Sequence, residues 1–297
     1  MVRPVTFGFD SETALSNTFQ HELSLSSKEI REAALSEFDT SVIKLRKHGI
    51  EVVVFEDPEN QEKHDAVFPN NWLTTWQNGH IFLYPMATEG RRRERSEAAL
   101  DLLRETFKTT EVIDISAFEI EGKYLESTGV IIFDHVNKLA YGSLSIRCDE
   151  TLFKEHVTAL GYTPVVFHSY DKAGVPIYHT NVLMGVQTET AVICLDAITD
   201  ETEKELVIKN LEVTGHIIIA ISHEQMQSFC GNMLEVQNKN QERLLVLSQT
   251  AYDAFSPEQR ELLGRDKTLV PIRIPTIETI GGGSARCMLA EIFLPKR

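Results

Sequence analysis

Residues 26–56 read SSKEIREAALSEFDTSVIKLRKHGIEVVVFE, and the order of signals within that stretch decides the fold. Ser26 and Glu29 form a capping-box pattern, and Ile30, Ala34, Phe38, Val42 and Leu45 recur at helical spacing. A helix is therefore predicted from about Ser27 to His48. The run IEVVVFE that follows is apolar and β-branched, which predicts a strand. Four further helices are predicted, beginning near Arg92, Asp149, Asp200 and Ser256, and each is again followed by such a run: TEVIDIS, TPVVFHS, HIIIAIS and TLVPIRI. Start-to-start intervals are 65, 57, 51 and 56 residues. Further short strands are predicted before the next helix, such as HIFLYP, GVIIFD with KLAYGS, NVLMGV with AVICLD, and MLEV with LLVLS. A unit of about 55 residues repeated five times predicts a closed or radial array of ββαβ units, since one unit alone cannot cover its apolar face. A doubly wound α/β sheet is the competing class. It predicts one strand per helix, whereas most intervals here hold two or three.

The rest of the chain narrows the class further. Its 297 residues carry 44 acidic and 29 basic side chains, a net charge of −15, and 42% hydrophobic residues. Disorder, collagen-like and coiled-coil classes do not fit such a composition. A nucleic-acid partner is not expected, because the basic residues cluster only at Arg91-Arg92-Arg93-Glu94-Arg95. No stretch approaches 18 apolar residues, and MVRPVTFGFD has a strand-like pattern, so neither a membrane span nor a signal peptide is expected. Cys148, Cys194, Cys230 and Cys287 stand far apart without a C-x-x-C pair, which suggests reduced thiols and a cytoplasmic location. The ten His include no H-E-x-x-H, and no Walker-type loop occurs, so neither a metal nor another cofactor is expected. Without a low-complexity linker, residues 1–297 read as one domain; self-association is left open.

Several side chains are suited to chemistry. Cys287 follows the triple glycine 281–283 by four positions with an apolar strand predicted after it, and a thiol at such a loop can meet a substrate and a proton-transfer partner. A buried Cys beside a tight turn is the plain alternative. His179, predicted just ahead of a strand, is a candidate general acid and base, against a hydrogen-bonded structural His. Glu126, at the predicted entrance to an apolar strand, is a candidate to orient an imidazole, against an ordinary surface Glu. In DAVFPNNWLTTW, residues 65–76, Asp65, Asn70 and Asn71 stand among aromatics and offer a directional hydrogen-bonding floor for a planar polar ligand, against simple Asx turns. Arg92 with its neighbours, and Arg147, are candidates to hold a carboxylate in a bidentate fork, against a solvated basic helix start at Arg91 to Arg95.

Taken in order, FPNNW at 68–72, YPM at 84–86 with RRRER at 91–95, LEST-G at 125–129, YHTNV at 178–182, CGNMLEV at 230–236 and IGGGSARCM at 280–288 resemble the guanidine-modifying, or pentein, superfamily. Within it the chain is most similar to the arginine deiminase-related branch of citrulline-utilisation hydrolases, often labelled amidinotransferase. The likeness runs from about residue 5 to 295. It implies a five-bladed α/β propeller of ββαβ units, with Cys287 as nucleophile, His179 as general acid and base, and Glu126 as the partner of that His. It also implies that Asp65, Asn70, Asn71, Asn181 and Asn232 line or shape the substrate pocket, and that Arg147, with Arg92 as second anchor, holds an amino-acid carboxylate. The implied activity is hydrolysis of the C–N bond of a ureido or guanidino amino acid through a covalent thio-intermediate. Amidino transfer to an amine, or a propeller that only binds an amino acid, are the alternatives. Relatives acting on arginine and dimethylarginine commonly carry Asp where Asn71 stands, and deiminases carry His-x-Asp where this chain has His179-Thr180-Asn181. An amide offers a donor and an acceptor but no charge, so citrulline is expected over arginine. A nearby imidazolium is expected to favour the thiolate.

Overall fold

The computed structural model describes residues 1–56 and 63–297. Parallel strands need a crossover of a dozen or more residues, and each predicted helix supplies one. β1 (Val2–Arg3) pairs in parallel with β2 (Phe55–Glu56) across the helix Ser27–Lys47. Four three-stranded sheets follow. The first comprises β3 (Leu73–Thr75), β4 (His80–Leu83) and β5 (Glu111–Asp114), with Glu97–Thr106 as crossover. The next holds β6 (Ile132–Asp134), β7 (Leu139–Ser143) and β8 (Thr163–Phe167), with Glu150–Ala159. The third holds β9 (Met184–Val186), β10 (Thr190–Ile193) and β11 (Ile217–Ala220), with Glu201–Val213. The last holds β12 (Leu234–Gln237), β13 (Arg243–Ser248) and β14 (Thr268–Ile272), with Pro257–Gly264. In each of these four, the first two strands are antiparallel and the second pairs in parallel with the third. This is the five-bladed ββαβ array. No strand among the described residues pairs with a strand of another sheet, which removes the doubly wound alternative.

The caps act where the sequence places them. Ser26 with Glu29 and Ser256 with Gln259 form complete capping boxes, and Asp149 and Asp200 accept from first-turn amides. The middle strands β7 and β10 are buried along their whole length, as strands covered by a helix on one side and the ring on the other must be. Ring closure involves the two chain ends. Ile292 and Leu294 share a core with Val53, Phe55, Trp72 and Leu73, and Lys108 N donates to Pro295 O at 2.8 Å. No described helix is long and apolar enough to cross a membrane.

Four expectations are corrected. The helix predicted from Arg92 is broken: Glu89–Arg92 forms one turn, then Ser96 accepts from Ala99 N and starts a new helix at Glu97. IEVVVFE contributes only Phe55–Glu56 to a ladder, because its partner β1 is two residues long and in the parallel register Val2 already faces Phe55. GVIIFD and NVLMGV begin as helical turns, Ser127–Val130 and Thr180–Leu183, and become strands only at Ile132 and Met184. The triple glycine ends a helix, Pro275–Gly281, and no strand follows Cys287; Gly282 is the left-handed cap residue at φ +61°.

Candidate active site

Just ahead of the first strand of each three-stranded sheet, a short turn delivers polar side chains to the site. The turn Pro69–Asn71 precedes β3, Ser127–Val130 precedes β6, Thr180–Leu183 precedes β9, and Asn232 precedes β12. Cys287 comes from the chain's last segment. Glu126 and His179 occupy the same position in successive blades, the residue before the helical turn. They meet there: His179 Nε2 lies 2.7 Å from Glu126 Oε2, and both side chains are fully buried. Gly129 makes this approach possible, since a Cβ on it would stand 2.3 Å from Asn71 Nδ2 and 2.9 Å from His179 Cε1.

Electrostatics fix the charge states of the pair. Burial alone would raise the Glu126 carboxyl, but Arg147, the His179 hydrogen bond and Arg91 together hold it well below the usual carboxylate range. Arg147 Nη1 is 3.3 Å from Glu126 Oε2, and Ala87 N donates to Oε1 at 3.0 Å. Burial pushes the His179 imidazole down to about 4 in spite of Glu126. At neutral pH the pair is thus a carboxylate accepting Nε2–H from a neutral ring, whose Nδ1 is left as an acceptor.

Cys287 lines the same cavity as His179. The expected imidazolium beside the sulfur is corrected: two amides take that place. Asn232 Nδ2 lies 3.2 Å and Asn181 Nδ2 3.4 Å from Cys287 Sγ. Both amides are oriented from behind. Asn232 Oδ1 accepts from Arg286 N at 2.9 Å, and Asn181 Nδ2 also donates to Thr128 O. Asn181 and Asn232 therefore attend the sulfur.

Asp65, Asn71, Arg91 and Arg147 line the cavity with His179 and Cys287. Asp65 is buried; Oδ2 accepts from Thr13 Oγ1 at 3.0 Å, while Oδ1 has no partner. Burial pushes its carboxyl up to about 6 against the pull of Arg91. Asn71 Oδ1 accepts from Arg91 Nη1 at 3.0 Å, which fixes the amide, and its Nδ2 has no partner. Arg147 donates to Ser16 Oγ at 2.7 Å and stacks 4.8 Å from the Tyr178 ring centre. Asn70 lies behind the site, bonded to Thr128. Arg92 is not brought to the cavity: its guanidinium donates to Met86 O and Ala87 O and faces Glu119 on a part-exposed surface.

The neighbouring Arg91 takes the inward position, clamped by both Glu94 oxygens at 2.8 Å. The sequence reading took Arg92 with its neighbours and singled out Arg92 over Arg91, because a one-residue shift on a short turn reverses in and out, and only burial beside Glu94 at i+3 signals the choice. It also missed Asn17, which donates to Gly281 O and Gly282 O, and Tyr178, whose hydroxyl donates to Gly282 O at 2.8 Å. Asn17 lies in an irregular segment without periodicity, so no pattern marks it.

Five sheets around an axis carrying a thiol, an imidazole and a carboxylate define the guanidine-modifying, pentein class, enzymes that hydrolyse carbon–nitrogen bonds of guanidino groups. Within that class the chain belongs to the family described as N,N dimethylarginine dimethylhydrolase, eukaryotic, whose model matches residues 3–294. Among solved structures it is similar to the N-terminal domain of ArgZ, an arginine dihydrolase from the ornithine–ammonia cycle in cyanobacteria, with 14% identity over 99% of this chain and 98% of that one, TM-score 0.74. It is similar also to AgrE in a complex with L-arginine, 14% identical over 100% of this chain and 40% of that longer one, TM-score 0.77. A dimethylarginine dimethylaminohydrolase adduct matches at 14% identity over 87% and 90% of the two chains, TM-score 0.61. At these identities the likeness is one of fold. No curated protein sequence matches.

Proposed function

We propose that the chain is a cysteine hydrolase of a free amino acid ending in a ureido or guanidino group, with citrulline as the preferred substrate. The observation that carries the choice is the pair of unpartnered buried atoms in the cavity, a donor at Asn71 Nδ2 and an acceptor at Asp65 Oδ1. A ureido group offers a carbonyl oxygen to the first and N–H to the second, whereas a guanidinium offers donors only. Arg91 and Arg147 also flank the cavity, and both oppose a second cation more than a neutral group.

In the proposed reaction the Cys287 proton passes to His179 Nδ1 and Sγ bonds to the ureido carbon. The imidazolium so formed, stabilised by Glu126, protonates the amine nitrogen as its bond to that carbon breaks, releasing ornithine. The neutral ring then takes a proton from water, whose oxygen attacks the S-carbamoyl carbon; carbamate leaves, decomposing to ammonia and carbon dioxide, and the thiol is restored. The buried carboxylate Asp65 and the family's description favour one second reading, a methylated guanidinium as substrate, with release of dimethylamine. Parallel kinetics with citrulline, arginine and dimethylarginine, scored for ornithine, ammonia and dimethylamine, decide between them. Citrulline is expected to have the highest kcat/KM. A preference for arginine above about tenfold, roughly 1.4 kcal/mol in transition-state stabilisation, overturns the choice.

A further inference from the structure

The first strands of three blades, β6, β9 and β12, start beside the turns that carry Glu126, Asn181 and Asn232. They run away from the site and converge on a second cavity of about 120 Å³. None of the proposed catalytic groups lines it. Its walls carry three carboxylates, Asp134, Glu235 and Glu291, against one guanidinium, Arg286, with Met184 and Met233 as apolar wall. Asp134 is bonded to Asn137 and faces His216 at 3.7 Å, Glu235 accepts from Thr188 and lies 3.5 Å from Lys267, and Glu291 Oε2 takes Arg286 Nη2 at 2.8 Å. A separate observation points to a ligand. Gln187 lines the cavity and is only 4% exposed; its Oε1 accepts from Thr190 Oγ1, and its Nε2 has no partner. A buried donor without an acceptor is costly unless something supplies one.

Arg286 links this cavity to the sulfur. Its side chain stands in the cavity, its backbone N–H holds Asn232 Oδ1, and the other end of that amide points at Cys287 Sγ. We propose that the cavity is a second ligand site for a small ammonium compound that also carries a neutral oxygen acceptor, an amino-acid amide or amino alcohol, and that its occupancy is felt at Cys287 through Arg286. The ammonium binds among Glu235 and Glu291, where it competes with Arg286, and the oxygen accepts from Gln187 Nε2. The assignment is independent of which substrate the catalytic cavity takes.

Glycinamide is the probe, titrated calorimetrically into protein whose Cys287 has been alkylated so that the catalytic cavity is blocked. Saturable one-site binding is expected at about 1 mM or tighter, within reach of a ligand of so few atoms. Ethylammonium, lacking the acceptor, and acetamide, lacking the charge, are expected to bind at least about tenfold more weakly. Glu291→Gln should lose about tenfold for glycinamide, and Gln187→Glu, folded by thermal unfolding, should no longer favour glycinamide over ethylammonium. Absence of saturable heat, or equal binding by both variants and the parent chain, overturns the site. In unalkylated protein, glycinamide should change the iodoacetamide labelling rate of Cys287 by about threefold or more, and not in Glu291→Gln. Binding without that change overturns the link through Arg286.

Discussion

Around the sulfur, two amides stand where a charged imidazole was expected, Asn232 Nδ2 at 3.2 Å and Asn181 Nδ2 at 3.4 Å, while burial keeps His179 neutral. Hydrogen bonds to an ionised group contribute about 1.5–3 kcal/mol, which is the support these donors give the sulfur once its proton passes to His179 in the proposed reaction. Asn232→Ala is expected to slow iodoacetamide labelling of Cys287 at neutral pH by about tenfold with little change in thermal unfolding. An unchanged labelling rate removes the amides from the account. Asp65 sets a different test. Its carboxyl, raised by burial from the ordinary 3.8 to about 6, holds a proton in the folded chain over a range where the unfolded chain has lost it. The stability it contributes is therefore present below about pH 4 and is lost as pH rises through about 6, a span worth at most roughly 3 kcal/mol. If the ionised Asp65 accepts the substrate N–H, kcat/KM rises with pH through about 6; Asp65→Asn should remove that rise while stabilising the fold at pH 7–8, measured by denaturant unfolding. Greater loss of stability than of activity would refute the role given to Asp65.

At the scale of elements, the turns that open each blade are where sequence reading and structure part company. Helices were legible because their starts carry chemistry of their own: Ser26 with Glu29, Ser256 with Pro257 and Gln259. Strand starts carry none, so GVIIFD and NVLMGV read as strands throughout although their first residues form the turns that aim Glu126 and His179. Ser127, at φ +44°, shows the backbone departure such aiming takes, and no composition signal announces it in a serine. The triple glycine read as a place where the backbone approaches a ligand or takes positive φ, and all three glycines line the cavity with Gly282 as the left-handed cap; packing adds a constraint the sequence did not announce, since a Cβ on Gly281 or Gly283 would stand within 3 Å of the Phe68 ring. Gly129→Ala is the test at this scale. The added methyl pushes directly on Asn71 and His179, and kcat should fall at least about a hundredfold, the order a misplacement of about 1 Å costs. Ala tolerated with full activity would contradict the packing described here.

The molecule as a whole was legible through its period: five helix-to-strand units at near-constant spacing allowed only a ring or a wound sheet, and the paired short strands chose the ring. Closure was not legible, because Ile292 and Leu294 lie outside any regular element and owe their burial to Val53, Phe55 and Trp72 far away in sequence. Leu294→Ala is expected to cost about 2–4 kcal/mol in denaturant unfolding; a loss below about 0.5 kcal/mol would mean that the chain ends do not hold the ring shut. The ring matters for chemistry because it brings Glu126 and His179 from two successive blades together with Cys287 from the chain's last segment, and the proposed covalent route requires all three. The direct measurement is mass spectrometry of the Cys287 peptide, rapidly quenched during citrulline turnover. The account predicts a carbamoyl adduct on that sulfur, and no turnover in Cys287→Ala that still folds. A catalytically active Cys287→Ala chain, or turnover with no adduct on Cys287 at any quench time, would contradict it.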